Sequence, residues 1–143
     1  MSLNSFILVF SVISFTTFSQ NSLATVDEAN LEGSYEGIAT YKSINEELSP
    51  RSACRVDVKA KGSNYSFTLT HPKFTQKREV TLNLQSVSHQ VGNVLVYDFS
   101  PGWNEEKAIV DLGSNYQSLN FFGIQQLKTF SSKLIGCMNL RPM

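Results

Sequence analysis

Charge is scarce in this chain and cancels where it occurs. Charged residues make up 17% of 143 positions, with 12 Lys plus Arg against 12 Asp plus Glu. No global field would steer the protein to nucleic acid or to an anionic membrane, so neither is expected as a partner. Histidine is limited to His71 and His89, and cysteine to Cys54 and Cys137. No CxxC pair occurs and neither Cys has a His at ligand spacing, so no metal site or other cofactor is expected. A G-x-S-x-G nucleophile elbow is absent, as is a Gly-rich phosphate loop following a strand. Asp98 could act with Glu105 or Glu106 as an acid–base pair only if turn carboxylates left solvent, so the chain is not expected to be an enzyme.

The N-terminus lacks charge altogether. No charged side chain precedes Asp27, and Phe6–Phe18 reads FILVFSVISFTTF. That run is short for a bilayer span, and Ser22-Leu23-Ala24 places small residues where signal peptidase cuts. A secretory signal over 1–24, cleaved to leave a single domain over 25–143, is the expectation, although MSLNS supplies no basic n-region. A buried first helix or strand is the alternative. The expected compartment is the secreted or periplasmic space, with no stable membrane anchor after cleavage.

What is present suits a compact β domain. Hydrophobic residues make up 41%, and the ten Phe and five Tyr favour strands. In an oxidising compartment the two cysteines are expected to pair, closing a loop of 83 positions; two buried free thiols are the alternative. Short alternating segments follow one another: Glu32–Lys42, Ala53–Ala60, Tyr65–Thr70, Val80 toward Val87, Val94–Phe99, Lys107–Leu112, Tyr116–Phe122 and Lys133–Leu140. Gly123–Ser132 reads as either one helical turn or an irregular strand. Eight strands joined mainly by short loops predict an all-β fold, an eight-stranded antiparallel up-and-down barrel, with a two-sheet β-sandwich as the alternative.

The opening Leu31-Glu32-Gly33-Ser34-Tyr35 resembles the G-x-W opening of lipocalins and related calycins, with Tyr35 where Trp stands in that family. The resemblance implies an aromatic at the barrel floor with an Arg beneath it, a role that would fall to Arg141. Asp111–Tyr116 is faintly similar to the family's T-D-Y loop, at a different spacing. A tie from the last strand to an early one is also lipocalin-like. The missing Trp, the short chain and the absence of a C-terminal helical pattern depart from the family.

Two functional classes follow, of which the small-ligand carrier is the expected one and the protein-binding module the alternative. One is an exported carrier holding a small apolar ligand in a barrel lined by Tyr35, Val56, Val58, Phe67, Leu69, Leu82, Leu84 and Val96. The other is an exported inhibitor or protein-binding module acting on a hydrolase through the Trp103 loop or the Thr25–Asn30 arm. Of these residues, Tyr35, Phe67, Leu69, Leu82, Val96 and Trp103 are the candidate binding residues. The basic run Lys73, Lys77 and Arg78 would suit an acidic partner but equally reads as a solvated loop. Asn64-Tyr65-Ser66 matches a glycosylation sequon.

Overall fold

A computed structural model describes residues 30–43, 52–100, 105–113, 118–128 and 131–143. Among them are nine strands: β1 Gly33–Lys42, β2 Ala53–Lys61, β3 Asn64–Thr70, β4 Arg78–Leu82, β5 His89–Val91, β6 Val94–Ser100, β7 Glu105–Asp111, β8 Phe121–Lys128 and β9 Ser131–Pro142. All pair antiparallel in one sheet of order β4-β3-β2-β1-β9-β8-β7-β6-β5. The expected signal segment 1–24 and the Thr25 cleavage point lie outside the described residues.

That order makes the sheet curl. β4 and β5 sit at opposite edges yet follow one another in the chain. Laid flat, the edges would stand roughly 38 Å apart, eight strand spacings of about 4.8 Å. The seven Cα steps from Leu82 to His89 reach at most roughly 25 Å when fully extended. Segment 83–88 is not extended either: the Asn83 carbonyl accepts the Ser86 N–H at 3.0 Å, and its side chain accepts the Gln85 N–H at 3.1 Å. The sheet therefore curls into a half-barrel, with one inner face and one outer face.

Contacts across the interior hold this curvature. Phe67 of β3 stacks on Phe122 of β8, ring centroids 4.8 Å apart and planes 4° from parallel. The Tyr97 hydroxyl of β6 donates to the Leu84 carbonyl at 2.8 Å, and Arg78 of β4 reaches Glu106 of β7 at 2.7 Å. The core is the inward half of each alternating strand. Val56 and Val58 of β2, Leu69 of β3, Val110 of β7 and Ile124 of β8 are all at most 1% exposed.

β1 joins the two halves of the sheet, pairing with β2 on one side and β9 on the other. Cys54 on β2 and Cys137 on β9 form the disulfide across it, with 5.8 Å between their Cα atoms. Gly37 pairs with Cys54, in the strand that the bridge crosses. A Cβ at Gly37 would run into the Met138 carbonyl and come within 3.2 Å of the Cys137 sulfur. The β1–β9 register also slips here, from Glu36↔Arg141 to Ile38↔Met138. The surplus residue is on β9, where Asn139 takes φ 53°, a left-handed conformation that Asn accepts more readily than most side chains.

Three expectations need correction. The strand expected from Val80 toward Val87 stops at Leu82, because the Asn83 side chain and carbonyl capture the following amides in a turn. The chain then adds a short strand, β5, that the eight-strand reading omitted; its residues are all exposed, so no alternation marks it. The strand placed at Tyr116–Phe122 begins at Phe121 and runs through the ambiguous stretch to Lys128, with residues 114–117 outside the described set. One continuous sheet takes the place of the two that a sandwich would need.

Two substitutions test the tie across β1. Replacing both cysteines by Ser is expected to lower unfolding free energy by about 2–5 kcal/mol in urea titrations. Gly37→Ala is expected to destabilise the reduced protein as well, because its clash is with backbone and persists without the bridge.

Candidate binding surfaces

Alternation in each strand decides which side chains meet. Tyr35, Phe67, Leu69 and Leu82 all enter the core, at 6%, 0%, 0% and 4% exposure. Val96 does not join them. Its neighbours Leu95 and Tyr97 take the inward positions of β6, so Val96 is half-buried on the outer face, opposite Ile109. The apolar run 94–99 has no polar alternation to reveal which set points inward. Trp103 lies outside the described residues.

The inner face is filled at its centre and tied down at one end. Tyr35 donates its hydroxyl to the Leu31 carbonyl at 2.8 Å, as Tyr97 does to Leu84. Each ring thus fastens a segment outside the strands onto the barrel while its own polar atom is satisfied. Burial, aided by nearby Tyr65, pushes the Tyr35 phenol above its ordinary value, so it stays a neutral donor. Arg141 is exposed and in register with Glu36, whereas Tyr35 points to the other face. The stacked position beneath the aromatic, implied by the lipocalin resemblance, is therefore not taken by Arg141.

No family model, curated protein or solved structure matches the chain.

The polar candidates separate. Asp98 pairs with Lys107 at 3.0 Å, while Glu106, on the inward side of β7, accepts from Arg78 at 2.7 Å and from Gln126 at 2.9 Å. Asp98 and Glu106 thus lie on opposite faces and do not form a carboxylate pair. The basic run divides in the same way: the Lys73 ammonium lies 4.8 Å from the centroid of the Tyr41 ring, and Arg78 turns inward to Glu106. Among the described residues no cluster of three or more His, Cys, Asp or Glu has metal-binding geometry. The Ser66 hydroxyl of the sequon is 3% exposed at residue level and donates to Glu79 at 2.7 Å.

His71 is the residue that sequence reasoning undervalued. Expected in a loop, it is 3% exposed and ties the β3–β4 connection to β1. The Lys73 amide donates to its Nδ1 at 3.1 Å, which leaves Nε2–H to donate to the Thr40 carbonyl at 2.9 Å. Phe74 packs edge-on to the ring, 6.0 Å between centroids. Nothing in His-Pro-Lys-Phe signals this burial, since the contact depends on β1 arriving from 31 positions earlier.

Two open recesses lie along β1 and β9. One, about 540 Å³, sits where the bulge parts Glu36–Ile38 from Asn139–Met143. Another, about 300 Å³, lies beside Lys42, Gln125 and Leu134.

The His71 arrangement requires the neutral ring. Burial depresses its pKa, the Thr40 hydrogen bond opposes that, and Lys73 depresses it further, for a net shift below the ordinary 6.5. The unfolded chain therefore binds the proton more readily. Stability is complete above about 6.5 and falls as pH drops through that value toward the folded-state pKa. Urea midpoints are expected to decline between about pH 7 and pH 5 in the native protein, and to flatten over that range in His71→Gln. Asp57 does not titrate in this range. Its burial is outweighed by hydrogen bonds from Ser34 and Arg55, so it titrates below its ordinary 3.8.

Proposed function

We infer that this chain is an exported binding protein, released by removal of residues 1–24, whose partner is another extracytoplasmic protein engaged from outside the barrel. The observation that carries this reading is the packed inner face. The Phe67–Phe122 stack occupies the middle of the space that a carrier would leave for cargo, and Tyr35, Leu69 and Leu82 pack beside it in the same core. Small barrels either fill with side chains or hold one ligand. A filled one acts as a scaffold for what it presents at its ends and on its outer face, and an inhibitor of a hydrolase is one such use. The disulfide supports an oxidising compartment, because such bridges rarely persist in the cytosol. On this reading the fold is a lipocalin-like half-barrel turned to protein recognition.

A carrier of a small apolar ligand is the second reading. It is favoured by the seam between β4 and β5, the two edges of the sheet, where side chains rather than a backbone ladder join the halves. Opening that seam would admit a ligand only by displacing core residues.

Native mass spectrometry of protein purified from its host, repeated after denaturation, separates the two. The expected result is a chain starting near Thr25, two hydrogens lighter than the reduced form and free of small-molecule adduct. An apolar adduct lost on denaturation overturns the protein-partner reading in favour of the carrier. An intact Met1 overturns export.

A further inference from the structure

The two halves of the outer face differ in chemistry. Over β2, β3 and β4 it is polar and internally bonded. Asp57 accepts from Ser34 at 2.6 Å and from Arg55 at 2.9 Å, and Glu79 accepts from Ser66 at 2.7 Å and from Lys61 at 3.0 Å. Over β6, β7, β8, β9 and β1 the outer face carries two largely apolar rows, interrupted by Asp111 and Thr40. Register aligns its side chains in rows: Ile38, Met138 and Phe121 stand opposite one another on three adjacent strands, and Val96 stands opposite Ile109. Leu134 follows toward the far end of β9. Ile38 is 41% exposed and Met138 36%, and the other four are half-buried.

The centre of this area carries no tall side chain. Gly123 of β8 and Gly136 of β9 pair directly, and Phe121 lies across both, its Cζ 2.7 and 2.6 Å from where their Cβ atoms would be. Aromatic cover of facing glycines leaves no tall side chain between the rows. Two sheets stacking about 10 Å apart need such a surface on each.

We propose that two copies of this chain associate through this outer face of β6–β9 and β1, sheet against sheet. The rim favours a second copy over a partner of one charge. Glu36 and Arg141 stand opposite each other at one border, Asp98 and Lys107 pair at 3.0 Å at another, Lys42 lies beside Leu134, and Asp111 sits between Val94 and Phe121, so the patch and its border carry both signs. With net charge +0, the chain does not repel itself at long range, and an anionic surface finds no cationic excess here. Size points to a weak, reversible contact. Five strands at about 4.8 Å and these rows with their rims span roughly 20 Å by 20 Å. That projected area of roughly 400 Å² is about half the ~800 Å² per partner of a standard interface, which suits a concentration-dependent dimer. A contiguous apolar patch of this order is what interaction surfaces carry.

Sedimentation velocity of the purified protein over a wide concentration range tests the proposal. A concentration-dependent species of twice the monomer mass is expected. Met138→Glu should weaken self-association by about 100-fold or more, because the dimer would bury two unpaired carboxylates. Circular dichroism should stay native, and Lys59→Glu on the polar face should associate like the parent. If Met138→Glu fails to fold, Ile38→Ser at the more exposed position gives the same readout. A monomer at every concentration overturns the proposal, and so does a dimer unaffected by the patch substitutions. A monomer that instead binds neutral phosphatidylcholine vesicles through Ile38 and Met138 overturns it in favour of a lipid surface.

Discussion

The rest of this structure depends on the pairing of β1 with β9. Without it the chain would be two separate meanders, β1–β4 and β5–β9, linked only by a short turn. With it, the first strand lies at the middle of the sheet, and the same short turn must bring the far edges toward each other. Curvature follows from topology, and an inner face follows from curvature. The disulfide fastens this arrangement at the point of greatest need. It joins β2 to β9 over β1 at Gly37, close to the bulge where the ladder register slips.

Filling the inner face has consequences for what the molecule can do. Aromatic side chains take the centre, and two tyrosines spend their hydroxyls on backbone carbonyls that hold the barrel's non-strand segments in place. Such an interior gives stability and a rigid shell. The outer surfaces are unequal: a polar half stitched by ion pairs and hydrogen bonds, and a half with apolar rows around paired glycines. His71 adds a pH-sensitive pin between the two strands that flank β2, since its neutral ring is what bridges the β3–β4 connection to β1.

Much of this was legible in the sequence, and the gaps have physical causes. Val56, Val58, Phe67 and Leu69 alternate with polar residues, so their inward direction could be read directly. The pairing of Cys54 with Cys137 followed from compartment and count, and the structure contains it. In Val94–Phe99 both faces are apolar, so the pattern could not say that Val96 points outward. β5 is three exposed residues without alternation. In β8, Gly123 and the glutamines hide a strand that only its pairing with β7 and β9 reveals. His71 and the apolar outer rows depend on register between distant strands, which no local window contains.

The most direct test of β1 as the organising strand is native-state amide hydrogen exchange, resolved by residue. The amides of β1 and β9 that bond to each other should exchange slowest, near the rate of global unfolding, while the edge strands β4 and β5 exchange much faster. Fast exchange along β1 with protection concentrated in β2–β4 or β6–β8 would show two independent meanders and would contradict the account.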